Sequence, residues 1–299
     1  MTYFGVYPGG TEVALGQPVQ VRLSREEDVP ADGFTGVFPL AGTLGSITGI
    51  RVYDRNHNLC FDGIVDVQAE SDSDARLLTL TARSSAALLL DNEALPQTYY
   101  KPSLAVIFAN HVRPYGFSAF RGNEKMAGGA LTVTKGMSEW QAASAFCTQY
   151  LNVKPRIVNG VFDATGEVPK GSVRFGGTGV PYSSLIIENK YSEIVSELMA
   201  QAGGNGAYVS AAKERDAAGL GIRRRRCLSV GQNAESVLRA ARKKSFSGQI
   251  ACPGEVPALL LQAAGVEGKR AGFPGDLYIS EIEYILNSSG EITRFVLRR

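Results

Sequence analysis

The sequence is poor in the side chains from which most active sites are built. Its 299 residues include two histidines, one tryptophan and four cysteines. His57 lies in DRNHNL, a polar turn-like cluster, and His111 lies near the end of a helix predicted over SLAVIFANHV, where a cation suits the helix dipole. A metal site or a histidine base needs converging partners, and the sequence supplies none, so both histidines are read as structural. Cys60, Cys147, Cys227 and Cys252 are widely scattered and form no C-x-x-C pair, which removes zinc ribbons and dithiol redox motifs. The start MTYFGVYPGGTEV lacks the basic residues and apolar stretch of an export signal. The thiols are therefore expected to be reduced and mostly buried.

An excess of charge is missing as well. Thirty-one Lys and Arg against 29 Asp and Glu leave +2, so no bulk field points to nucleic acid or a membrane surface. No apolar run approaches the ~20 residues needed to span a bilayer, and no membrane partner is expected. There is no G-x-S-x-G and no triad order. The composition, 44% hydrophobic and 20% charged, is that of an ordinary soluble globular chain, long enough for two or three small domains.

Residues 12–83 read as β. VQVRL (19–23) and GIRVYD (49–54) alternate apolar and polar side chains, the period of half-buried strands. CFDGIVDVQAE (60–70) is a third strand, with Gly63 expected at a bulge or tight bend. In RLLTLTARS, Leu78, Leu80 and Ala82 share one face. Short strands joined by polar turns suggest a small barrel or sandwich. Ser84 or Ser85 is placed to cap a short helix over AALLL, and Pro102-Ser103 opens the helix ending near Gly116. SEWQAASAFCTQYL (138–151) begins with the S-x-x-Q of a capping box, and PRIVNGVFD reads as a hairpin about Asn159-Gly160. From about 170 the strands return, interrupted by helices predicted at 192–204 (SEIVSELMAQAGG) and 234–244 (AESVLRAARKK). The order is β, α/β, β: a β-rich α+β chain divided at 1–85, 86–168 and 169–299.

Motifs that could carry chemistry are few. Arg223, Arg224, Arg225 and Arg226 form an unbroken run, but a strand would split them between two faces, and no stacking aromatics accompany them. An interface or solvated surface is the expectation, and specific nucleic-acid binding is the alternative. RFGGTGVPYS has glycines after a strand but no following helix to complete a phosphate cradle. ESDSDAR lacks the glycine and terminal glutamate of a calcium loop. Two carboxylates converging in a cleft would make a cell-wall hydrolase, and nothing in the sequence singles out such a pair. No cofactor, no metal and no catalytic residue is expected.

The run GSITGIRVYDRNHNLCFDGIVDVQAESDSDARLLTLTARSSAALLLDNEALPQTYYKPSLAVIFANHVRPYGF, 45–117, resembles the baseplate hub proteins of phage tails and related contractile particles. KGMSEWQ (135–141), SVRFGGTGVPYSSL (172–185) and GIRRRRCLSV (221–230) continue the likeness. The resemblance implies two tube-like β-barrel domains separated by a small α/β domain. It implies a non-enzymatic homotrimer whose six barrels match a hexameric tail tube above and a trimeric spike below. Some members of the family continue into a lysozyme domain or a long β-helical spike; the sequence to Arg299 has neither, so a separate spike polypeptide is expected. Tail tube protein, that spike protein and other baseplate proteins would be its partners. It would assemble in the bacterial cytoplasm and end in a virion or phage-like particle. In that arrangement Tyr99 and Tyr100 suit a subunit interface, with a place in the local core as the alternative. Arg223–Arg226 would face partly the channel or the next subunit.

Overall fold

Alternating side chains settle the first part of the chain. The structure, a computed structural model, describes residues 1–203, 206–229, 231–268 and 275–299. The strands are β1 (Thr2–Val6), β2 (Glu12–Ala14), β3 (Gln20–Glu26), β4 (Gly33–Pro39), β5 (Gly49–Tyr53), β6 (Leu59–Asp72) and β7 (Arg76–Ser84). They pair antiparallel in the order β2-β1-β5-β6-β7-β4-β3. Every second residue points inward: Val21 and Leu23, Phe34 and Phe38, Ile50 and Val52, Leu78, Leu80 and Ala82 make one buried cluster. Burying each large apolar side chain contributes roughly 1.5–3 kcal/mol.

Gly63 departs from expectation. It pairs regularly with Ile50 and Ser84, while the bulges fall between Val52 and Tyr53 and between Val65 and Val67. Its constraint is close approach: a Cβ there would sit 2.5 Å from the Phe61 ring and 2.7 Å from the Arg83 carbonyl oxygen.

A second core begins where the alternation stops. Helix α1 (Ala87–Asp91) has Ala86 at its N-cap and no side-chain cap. The Ser84 hydroxyl expected there instead accepts a hydrogen bond from the Asp32 amide, 3.0 Å away. Strand β8 (Gln97–Tyr100) leads to α2 (Leu104–His111), capped by Ser103 and burying Leu104, Ile107, Phe108 and His111 on one face. After β9 (Ala119–Gly122) and β10 (Ala130–Val133) comes α3 (Glu139–Phe146). Both hydrogen bonds of the expected capping box, between Ser138 and Gln141, are present. The helix widens into a π turn over Cys147–Leu151 and stops at Asn152 in the left-handed conformation. β11 (Arg156–Val158) and β12 (Val161–Ala164) form the expected hairpin. Asn159 (φ 49°) and Gly160 (φ 74°) take the positive φ of its turn.

The remaining elements are β13 (Ser172–Phe175), β14 (Ser184–Asn189), β15 (Glu197–Ala202), β16 (Ala207–Lys213), α4 (Arg215–Gly219), β17 (Arg225–Cys227), α5 (Ala234–Ser245), β18 (Phe246–Pro253), β19 (Ala263–Val266), β20 (Leu277–Asn287) and β21 (Gly290–Arg298). One ladder runs β14-β18-β21-β20, with β19 on β20 and β13 on β19, around Phe175, Ile250, Ile279, Phe295 and Leu297. A separate sheet, β16-β15-β17, packs Val195 and Leu198 against Leu238 and Ala241 of α5.

Here the helix predicted over 192–204 is overturned. Residues 197–202 are the central strand of that sheet, preceded by a short 3-10 turn at Tyr191–Glu193. Ile194, Val195, Leu198 and Met199 fit helical spacing, but both backbone edges of the segment are taken by β16 and β17. Tertiary pairing overrides local propensity. The last residue of the predicted helix, Gly204, lies outside the described residues.

By their internal packing the residues form two units, Met1–Val168 with Glu283–Glu291, and Pro169–Ile282 with Ile292–Arg299. The tip of the β20–β21 hairpin thus belongs to the first unit, where Tyr284 enters the core and Glu283 and Glu291 pair with Arg22 and Arg55. The chain is β-rich, as expected. Among the described residues no pairing joins the two ends of either ladder: β2 pairs only with β1 and β14 only with β18, so no sheet closes into a barrel within one chain. No helix among them is long and apolar enough to cross a membrane.

Candidate functional site

Strand alternation places the two tyrosines differently. Tyr99 turns inward and packs against the core of α2 and α3, whereas Tyr100 is 84% exposed. The Tyr99 hydroxyl lies 2.9 Å from His111 Nε2 and accepts from Gln97. His111 Nδ1 faces Glu139 Oε2 at 2.5 Å, and the Tyr115 hydroxyl donates to Glu139 Oε1 at 2.8 Å. With the proton on Nδ1, the imidazole donates to the carboxylate and Nε2 accepts from Tyr99. Burial, and then the Glu139 charge, push the Tyr99 phenol above its usual range; burial and the hydrogen bond to Glu139 do the same for Tyr115. A hydroxyl, an imidazole and a carboxylate in line can move protons. Yet His111 is 2% and Glu139 6% exposed, so no substrate reaches the imidazole. The network fastens β8, α2 and α3 together.

The arginine run occupies the edge of the small sheet. Strand β17 pairs parallel with β15, setting Arg225 opposite Glu197 and Arg226 opposite Leu198. Arg225 and Arg226 therefore point to opposite faces, as alternation requires, while Arg223 and Arg224 precede the strand. All four side chains are exposed. Arg225 Nε is 3.2 Å from Glu197 and Lys213 Nζ lies 3.7 Å from the same carboxylate. A hydrogen bond from Ser210, then Arg225, holds the Glu197 carboxyl below its usual range. Arg224 donates to the Tyr191 carbonyl at 2.6 Å, and its backbone exchanges hydrogen bonds with the Ser196 hydroxyl. Beside it lies an open dent of about 380 Å³ lined by Tyr191, Leu220, Ile222, Arg223 and Arg224.

A larger depression, about 490 Å³, lies against Asn123, Lys125, Met126, Tyr150 and Thr165 in the first unit. Neither cavity is lined by a carboxylate. Among the described residues no three His, Cys, Asp or Glu side chains gather where they could hold a metal. The RFGGTGVPYS loop spends its amides on itself: Gly176 donates to Val180 and Gly179 to Gly176. A Cβ on Gly176 would lie 2.1 Å from the Glu267 carbonyl oxygen, and one on Gly179 2.3 Å from that of Arg174. These glycines serve backbone packing, not phosphate. Nothing in the sequence singles out Glu139 or Tyr115. The only signal for Glu139 is an acidic residue just inside a helix start, which reads as ordinary helix capping.

No family model matches the chain, and no curated protein matches its sequence. Solved structures do. All of the chain superposes on 97% of a tail protein from Neisseria meningitidis, with a TM-score of 0.77 at 18% identity. All of it superposes on 98% of the 43 kDa tail protein of prophage MuSo2 from Shewanella oneidensis, with a TM-score of 0.80 at 13% identity. Over 94% of its length it matches 73% of an Escherichia coli component of the type VI secretion system, described as structurally similar to two bacteriophage T4 tail proteins (TM-score 0.60, 6% identity). The likeness to phage tail proteins read from the sequence is thus shown at the level of the fold.

Proposed function

We propose that the chain is a structural baseplate hub of a phage tail or phage-derived contractile particle, with no catalytic role of its own. In this reading it forms a trimeric ring that joins a hexameric tail tube to a trimeric spike. One observation carries it: the fold is shared from end to end with phage tail proteins, without a large unmatched segment on either side. The Escherichia coli neighbour adds support from a related injection machine.

The mechanism would be geometric. Each unit contributes one antiparallel ladder, so three chains present six, and a threefold assembly gains approximate sixfold symmetry. In this reading each ladder would complete a tube-like barrel only on assembly, since no sheet among the described residues closes within one chain. The free edges at β2 and β14 are the kind that natural sheets leave for a partner or protect, and ring closure supplies the partner. Tyr100 and Arg223–Arg226 are the proposed interface residues. Obligate contacts of this kind bury ~2,000 Å² or more.

The test is the mass and symmetry of the purified protein, by light scattering with negative-stain class averages. A threefold ring with a central hole is expected. A monomer that stays monomeric when mixed with its tube and spike proteins sinks the reading.

A further inference from the structure

The near-neutral total conceals a strong separation of charge. Residues 190–245 carry eleven cationic and five acidic side chains, a net of +6 against +2 for the whole chain, while residues 1–168 carry 13 and 17, a net of −4. Within the basic segment the cations cluster on one edge. Arg223, Arg224 and Arg226 are exposed and, among the described residues, form no ion pair, unlike their neighbour Arg225. Beside Arg223 and Arg224 opens the dent floored by Tyr191 and Leu220, which are 54% and 52% exposed. Its volume of about 380 Å³ is in the ~300–1,000 Å³ range that receives a small ligand.

The first unit contains a feature of the opposite kind. The β6–β7 hairpin is exposed at every residue from Ala69 to Arg76. Its end carries Glu70, Asp72 and Asp74 against the single cation Arg76, which reaches Glu70 and Asp72 only at 3.7 and 3.8 Å. Three carboxylates on a narrow projection match a dent lined by the guanidinium groups of Arg223 and Arg224, with exposed Arg226 two residues further along the chain.

We propose that these are the two halves of one contact, made between copies of this chain: the acidic hairpin end of one copy docks into the arginine-rimmed dent of the next. The contact joins two different patches, so it propagates head to tail and produces a ring when the rotation closes. It rests on the trimeric reading above and names the surfaces that hold the trimer. Carboxylate is favoured over phosphate as the arginines' partner because the shared dent ends at Arg223 and Arg224, while Arg225 and Arg226 on β17 turn to opposite faces, whereas backbone tracking along a nucleic acid needs one continuous basic groove.

The experiment is a charge swap in the full chain, read by sedimentation at low and moderate salt. One variant carries R223E, R224E and R226E; a second carries E70K, D72K and D74K; a third combines all six. Arg225 is left in place because it pairs with Glu197. Either triple variant alone is expected to weaken self-association at least a hundredfold, and the six-fold variant to restore it to within about tenfold of wild type. Wild-type association is expected to weaken about tenfold between 0.05 and 0.5 M salt. The restoring variant guards against misfolding as an explanation of the loss. Trimers that persist in both triple variants, or six changes that fail to restore them, refute this contact and leave the trimer standing. A wild-type chain that never self-associates removes both. Steeply salt-dependent binding of a short DNA duplex that R223E/R224E/R226E abolishes, without any change in mass, also refutes the contact and assigns the arginines to phosphate.

Discussion

Replacing Glu139 with leucine should be more damaging than removing Glu139 and His111 together. Glu139 accepts from two donors, His111 Nδ1 at 2.5 Å and the Tyr115 hydroxyl at 2.8 Å. Tyr115 is half-exposed, so water can replace its partner at little cost. His111, 2% exposed, has no such recourse, and an orphaned buried donor costs about 1–3 kcal/mol. With the lost charge-assisted bond, Glu139→Leu should cost about 3 kcal/mol. Glu139→Gln keeps an acceptor toward Nδ1 and should cost about 1 kcal/mol. Changing both partners to leucine removes donor and acceptor at similar volume, which can be nearly neutral, while the half-buried Tyr99 hydroxyl still accepts from Gln97 and turns its own proton to water.

The assay is built into the molecule. Trp140, the only tryptophan, adjoins Glu139 and packs edge-on against Phe162 with centroids 6.0 Å apart. Its fluorescence in urea therefore reports on this core. With a slope of roughly 2 kcal/mol/M, Glu139→Leu should lower the midpoint by about 1.5 M, and the double variant should recover at least half of that. A double variant as unstable as the sum of the two single changes would refute a closed, mutually satisfied network.

The thiols should separate by burial: Cys227 reacts at once with a thiol reagent at about pH 8, Cys60 slowly, and Cys147 and Cys252 only on unfolding. Burial pushes the Cys147 thiol up to about 12 and Cys252 up to about 11, from an ordinary value of 9.0. The neutral form is thus favoured in the fold; stability is fully present below about pH 9 and is lost as pH rises through 11–12, so Cys147→Ala should flatten the alkaline limb of a thermal-melt series. Gly63→Ala forces a methyl within 2.7 Å of the Arg83 carbonyl oxygen and should cost about 2–3 kcal/mol, visible as a lowered melting temperature. Arg83 donates to both Asp66 and Asp91 at 2.7–3.0 Å, but it is a surface group, so Arg83→Met should cost no more than about 1 kcal/mol in the same melt.

How much of the fold is legible in the sequence depends on where the information resides. Strands β3, β5, β6 and β7 alternate with period two, and that pattern is local. The Ser138 capping box and the Asn159-Gly160 turn are local too, each contained within one short stretch of chain. The Ser84 hydroxyl reads as a helix cap because the sequence cannot show that Asp32, 52 residues earlier, claims it. Gly63 reads as a bulge for the same reason, since the carbonyl that excludes a side chain belongs to another strand. The candidate site divides along the same line. The exposure of the arginine run follows from its charge, whereas the Tyr99–His111–Glu139–Tyr115 chain joins positions 12, 28 and 24 residues apart and has no sequence signature.

The segment from Ser192 to Ala202 shows how a pattern can be correct and its interpretation wrong. Val195 and Leu198 are buried, as a helical stripe predicts, but by different means: Leu198 turns from β15 toward α5, and Val195, which precedes the strand, packs into the same cluster. What separates the two readings is the fate of the backbone. A helix would satisfy its amides internally and leave β16 and β17 without the strand between them. The sheet joins Glu197 to Arg225 on one side and to Lys213 on the other, placing a carboxylate between two cations. That arrangement answers the charge of a single arginine in the run. It leaves Arg223, Arg224 and Arg226 facing outward, so the misread strand is also what creates the basic edge on which the charge-swap experiment turns.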